Sequence, residues 1–139
     1  MWLLYAGLSS VTAALVAIFG KKGMADLDPT LATTVRAVLM AAFLVATSFA
    51  LRKFEGFSLG SFGTKDWIYI IAAAVCGALS WLFYFIALKY GLASKVAAVD
   101  RTSLAFVIIL SALFLGETIG WKAALGGLLM VGGAIIIAL

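Results

Sequence analysis

The chain has 139 residues, 65% of them hydrophobic and 12% charged, with a net charge of +4 and a mean hydropathy of +1.21. Soluble domains average about 25% charged and about 45–50% apolar residues, so the composition excludes a soluble globular protein and predicts an all-α integral membrane protein. With no His and a single Cys, Cys76, it also excludes His-based acid–base catalysis, a disulfide within the chain and a Cys/His metal centre.

Five apolar runs predict five transmembrane helices joined by short loops, a single domain over 1–139 with no room for a soluble one. The first, Trp2–Phe19, ends at Gly20-Lys21-Lys22-Gly23. It lacks a basic segment ahead of its apolar run and is read as a retained helix, not a cleaved leader. The second opens on Asp28-Pro29, an N-cap followed by Pro at the first helical position, and runs to Leu51. The third covers about 66–88, with Thr64 as its expected cap. The fourth is Ala93–Leu115 and the fifth Trp121–Leu139. The longest connection, Lys53–Lys65, carries Phe54, Phe57 and Phe62, which places it in the headgroup region. Trp2, Trp67, Trp121 and Tyr90 sit at span ends and fit an aromatic belt.

An odd number of spans puts the two ends of the chain on opposite sides of the membrane. The side holding Met1 carries Arg52, Lys53, Lys65 and Lys122; the other carries Lys21, Lys22, Lys89 and Lys95. Loop Lys and Arg asymmetry sets orientation, and here the count is four against four, with Arg36 and Arg101 embedded in spans. The balance predicts insertion in both orientations; the alternative is a chance tie in a small chain. In a membrane protein the excess of basic residues reflects the loops, so no nucleic-acid partner is expected.

The helical faces are unusually polar or small. Tyr5, Ser9 and Thr12 share a face of the first helix, beside Ala6, Ser10, Ala13 and Ala17. Thr33, Arg36, Met40, Phe43 and Thr47 share one of the second, and Ala73, Gly77, Ser80, Trp81, Tyr84 and Ala87 one of the third. In the fourth, Asp100, Ser103, Val107 and Ser111 form a stripe flanked by Arg101. The fifth holds Gly126, Gly127, Gly132 and Gly133, the residue type that lets membrane helices approach closely. These glycines predict a helix–helix interface, within the chain or between two chains.

The charges inside spans are the chemical candidates. Asp100 lies seven residues beyond Ala93, roughly 10 Å into its helix at 1.5 Å per residue, in a hydrocarbon core about 30 Å thick. A charge there costs about 2.5–3.5 kcal/mol on insertion scales. It is the carboxylate set deep in a span, whereas Asp26, Asp28, Glu55, Asp66 and Glu117 lie at span ends or in loops. Arg36 lies equally deep past Pro29 and enters from the same side. It either snorkels to the interface or faces a cavity and pairs with Asp100, which offsets desolvation. Lys95, one turn into the fourth helix, is within snorkelling reach of the interface. Trp81 and Tyr84 are read either as cavity lining or as packing. There is no GxxxxGK[ST] phosphate loop and no nucleophile–base pair, so neither nucleotide hydrolysis nor an intramembrane enzyme is expected.

The aromatic-rich third helix ends in Ala87-Leu88-Lys89-Tyr90. It is followed by the Gly91–Lys95 turn, by Phe114-Leu115-Gly116-Glu117 closing the fourth helix, and by a Gly-rich last helix. Over essentially its whole length the chain resembles one five-helix unit of the EamA family of the drug/metabolite transporter superfamily. Most members carry two such units, the second inverted. The resemblance implies a secondary transporter, an exporter of small organic metabolites in a prokaryotic cell (inner) membrane. It would work as an antiparallel homodimer with alternating access, and without a cofactor. Helices one to four of both copies would build the cavity, and the fifth helices would hold the pair together.

Asp100, Arg36, Arg101, Trp81, Tyr84 and Ser103 are the residues expected to bind or couple. Arg36 and Arg101 outnumber Asp100, which favours an anionic or zwitterionic solute. The alternative is a non-transporting subunit or a half-transporter that needs a second five-helix partner. Many family members would have a Pro near Ala97–Ala98; its absence here argues against a broken fourth helix. The related small multidrug transporters use a carboxylate in the first helix, which this chain lacks, so their cation/proton antiport is not expected.

Overall fold

The computed structural model describes residues 1–23, 26–56, 58, 60 and 62–139. Among these the chain is all-helical: α1 Trp2–Gly23, α2 Pro29–Ala50, α3 Thr64–Tyr90, α4 Ala93–Asp100, α5 Ser103–Phe114 and α6 Trp121–Ala138. Five helical stretches are long and apolar enough to span a bilayer, α4 and α5 together making one of them, Ala93–Phe114. The chain is thus an integral membrane protein with the expected five spans. Buried positions among the described residues are few: Ala17, Phe85, Leu88, Gly127 and Ala134. The apolar side chains are spent on lipid and on surfaces left open, as the bilayer permits.

Two compact units are formed, Met24–Ile86 and a second that joins Met1–Gly23 to Ala87–Leu139. In the first unit, Asp28 caps α2 as its sequence predicts. Its carboxylate accepts from the Thr30 and Leu31 amides at 2.9 and 3.0 Å, with Pro29 at the helix start. The cap of α3 is different. Thr64 is already helical, and Asp66 supplies the acceptor, taking the Gly63 amide at 2.9 Å. After α2 the chain turns at Arg52, φ 53°, whose guanidinium lies 3.7 Å from Glu55. Phe54 packs on Phe49 with ring centroids 4.7 Å apart, and Phe62 on Trp67 at 5.7 Å. Phe54 and Phe62, near the two ends of the connection, thus pack on the helices that flank it. Phe57 lies outside the described residues, as does part of the Met24–Asp28 turn.

In the second unit, α4 and α5 pack on α6, and α1 on α4. Both α1 and α3 outrun their apolar patterns, to Gly23 and Tyr90. Lys21 lies in the added turn of α1. Its ammonium donates to the Leu88 carbonyl and, at 2.8 Å, to that of Gly91, closing the C-terminal end of α3. A cation suits that negative pole of the helix. Lys95, rather than snorkelling free, does the same for α6, reaching the Ala138 and Leu139 carbonyls at 3.0 and 3.1 Å. Gly91 fits between α3 and α4 because it has no side chain. A Cβ there would meet Val96 Cγ2 at 2.8 Å and the Ala87 carbonyl oxygen at 3.3 Å. Gly116, φ +68°, supplies the left-handed residue that ends α5.

The four glycines of α6 are not equivalent. Gly127 is buried, and a Cβ on it would stand 3.0 Å from Ile108 Cδ1 of α5, whereas one on Gly126, Gly132 or Gly133 would meet nothing within 4 Å. Gly127 therefore sets the α5–α6 approach. Gly127→Leu is expected to destabilise this unit by about 1–3 kcal/mol through overpacking. Gly132→Leu is expected to leave the monomer unchanged, both read from denaturation midpoints in detergent.

The fourth span departs from expectation. It is not one helix over 93–115 but two segments that meet at Arg101-Thr102, without a proline. The Thr102 and Leu104 amides bond to carbonyls three residues back, Val99 at 3.0 Å and Arg101 at 3.2 Å. Thr102 Oγ1 also donates to the Val99 carbonyl at 2.7 Å. A hydroxyl that bonds back to its own helix bends it, and here it tightens one turn to 3₁₀ geometry. The Ala98 and Asp100 carbonyls thereby lose the donors that a continuous α-helix would give them.

Candidate functional site

Arg36 organises the first unit. It stands two turns into α2, half-buried. Its guanidinium lies 3.9 Å from the centroid of the Trp81 ring and 5.0 Å from that of Phe85, both on α3. Trp81 and Phe85 are four residues apart on one helical face and stack with centroids 5.6 Å apart. Tyr84 meets both edge-on, at 5.9 and 5.7 Å. The guanidinium carbon sits over the Trp81 ring. The five N–H donors of the guanidinium lie in the plane of the group and are directed outward from it. The sequence pattern placed Arg36, Trp81 and Tyr84 as candidates, and all three belong to this cluster. Phe85, 1% exposed, is the member it missed, although its i+4 spacing from Trp81 was available.

Beside this cluster a groove of about 650 Å³ runs between α2 and α3. Thr30, Thr33 and Thr34 line one end, Met40, Ala41 and Leu44 continue along α2, and α3 contributes Ala74, Ala78, Leu79, Trp81 and Leu82. Arg36 is the charged residue of the lining, and no carboxylate belongs to it. The Thr33 and Thr34 hydroxyls donate to the carbonyls of Pro29 at 2.6 Å and Thr30 at 2.8 Å. Their hydrogens are engaged, and what they offer a solute is acceptor oxygen. Thr33 and Met40 were expected on this face; Thr30 and Thr34 were not, since they fall one residue off the stripe.

Asp100, Arg101 and Ser103 belong to the other unit and gather at the interruption of the fourth span. Asp100 is the last residue of α4 and half-buried; Arg101 and Ser103 are exposed, Ser103 being the first residue of α5. The carboxylate and the two carbonyls freed by the 3₁₀ turn make this segment rich in oxygen acceptors at membrane depth. Irregular backbone at such depth occurs where it is buried in protein or lines a water-filled cavity.

The chain matches the EamA-like transporter family over residues 1–139. It is 34% identical over 137 residues to an uncharacterized transporter encoded in the cobO 3′ region of a Sinorhizobium species, covering 99% of this chain and 96% of that protein. No solved structure matches it.

Proposed function

Because the chain belongs to the EamA-like transporter family, we propose that it is a secondary transporter that exports small anionic or zwitterionic metabolites across a prokaryotic cell membrane. The observation that carries this reading is Arg36. Its guanidinium is half-buried, stacked on Trp81, and set in a groove that holds no carboxylate. Keeping such a charge in a span costs about 2.5–3.5 kcal/mol, and a solute anion is what returns that cost in binding. Asp100, at the interruption of the fourth span, is the coupling group of this proposal, with Arg101 and Ser103 beside it.

Two copies inserted in opposite directions reproduce the inverted pair that transporters of this kind need for alternating access. The equal Lys and Arg counts on the two sides support that insertion. Gly126, Gly132 and Gly133, open in the single chain, are the expected contacts between copies. A reporter fused after Leu139 is expected on both sides of the membrane; a single location defeats the dual-insertion model. Purified chain in liposomes is expected to move labelled organic anions with no second protein. Flux that requires a second five-helix chain makes it a half-transporter instead.

A further inference from the structure

The groove between α2 and α3 is divided by chemistry along its length. Its polar end holds three threonines, Arg36 and the Trp81 ring beneath it; Met40, Ala41, Leu44, Ala74, Ala78 and Leu79 line the rest, with Ala37 and Leu82. From Arg36 to Leu44 is eight residues, roughly 12 Å at 1.5 Å per residue. A compact metabolite such as acetate fills only the polar end. Apart from the weakly accepting Met40 thioether, the remaining wall has no polar side chain to offer. Solute sites are mostly apolar with a few polar groups that fix orientation, and here those groups are all at one end.

We infer that the solute accepted at this groove is a single-chain amphiphile: one carboxylate head held by Arg36, and an apolar tail laid along Met40, Ala41 and Leu44 against Ala74, Ala78 and Leu79. The inference rests on the transport reading above and narrows its substrate class. The head accepts from the guanidinium N–H groups. Any hydroxyl or ammonium it carries donates to the Thr33 and Thr34 oxygens, whose own hydrogens are bound to backbone. The small side chains Ala41, Ala74 and Ala78 leave the width for the tail, and a single positive charge in the lining selects a monoanion over a dianion or a cation.

The test uses the full chain in phosphatidylcholine nanodiscs, titrated calorimetrically with decanoate, acetate and decyltrimethylammonium against empty discs. Decanoate is expected to bind saturably and at least tenfold more tightly than acetate, with no saturable binding of the cation. Arg36→Gln and Ala78→Phe are each expected to weaken decanoate at least tenfold, whereas Ala78→Phe leaves acetate unchanged. If Ala78→Phe does not reconstitute, Ala41→Phe on the facing wall replaces it. Equal affinity for acetate and decanoate, untouched by the Phe variants, overturns the amphiphile and leaves the anion transporter standing. Saturable binding of the cation overturns the charge selection. Loss of saturable decanoate binding when phosphatidylglycerol is added to the discs marks the groove as a seat for resident lipid, and overturns its assignment to a transported acid. No saturable anion binding of either length sinks this inference and the anion-transporter reading together.

Discussion

Arg36→Gln is expected to lower anion flux into liposomes by about 10- to 100-fold while the protein inserts and purifies as well as the parent. The first part follows from the strength of hydrogen bonds to charged groups, about 1.5–3 kcal/mol each in net terms. The second follows from the insertion cost of an embedded arginine, about 2.5–3.5 kcal/mol, which Gln largely removes. A purely structural Arg36 would behave the other way: its loss would take the stacking on Trp81, about 0.5–2 kcal/mol, out of the fold and leave transport by surviving protein intact. Arg36→Lys separates charge from shape. Lysine keeps the cation but lacks the flat fork that stacks on a ring and grips a carboxylate, so an intermediate flux with a raised KM is expected. Radiolabelled uptake beside a thermal denaturation series reads both quantities.

Asp100→Asn is expected to abolish gradient-driven flux and to leave the assembly and its melting midpoint unchanged or slightly raised. Asp100 closes α4, and the C-terminal end of a helix is the unfavourable pole for an anion, by about 0.3–1 kcal/mol. That comes on top of the cost of a charge at this depth. Stability alone would favour Asn, which has the same shape and no charge. Full activity in the variant would remove Asp100 from the mechanism. Retained solute exchange with lost accumulation would place it in coupling rather than in binding.

What was legible in the chain was what depends on local pattern. The five apolar stretches, the Asp28-Pro29 start and the shared face of Thr33, Arg36 and Met40 follow from helical spacing and capping chemistry, and the structure keeps them. The division of the fourth span was not legible. It rests on one hydroxyl, Thr102, choosing the Val99 carbonyl, and a Thr in a helical pattern does not announce whether it will bond back. The absence of proline pointed the wrong way, because proline is only one of several causes of an interruption. The glycines of α6 look alike in sequence. Only the position of Ile108 distinguishes Gly127 from its neighbours, and that is tertiary information. The same holds for Lys21 and Lys95, whose acceptors lie 67 to 70 and 43 to 44 residues away along the chain.

Those two lysines bear on how the protein is made. Alternating spans put the end of α1, the end of α3, the start of α4 and the end of α6 on one side of the membrane, so Lys21 and Lys95 are two of the four basic residues counted there. When α1 leaves the ribosome, α3 has not been synthesised, and Lys21 stands as an unpartnered charge that the insertion machinery can weigh. Once α3 and α6 are complete, both ammoniums are seated on carbonyls. Withdrawing either across the bilayer would strip a helix end as well as move a charge. The tie between the two sides is therefore a property of the nascent chain, and the finished one is latched. On the dual-insertion proposal, each copy would make its choice of direction once, during synthesis, and a mixed population of orientations would record those decisions, not an equilibrium between them.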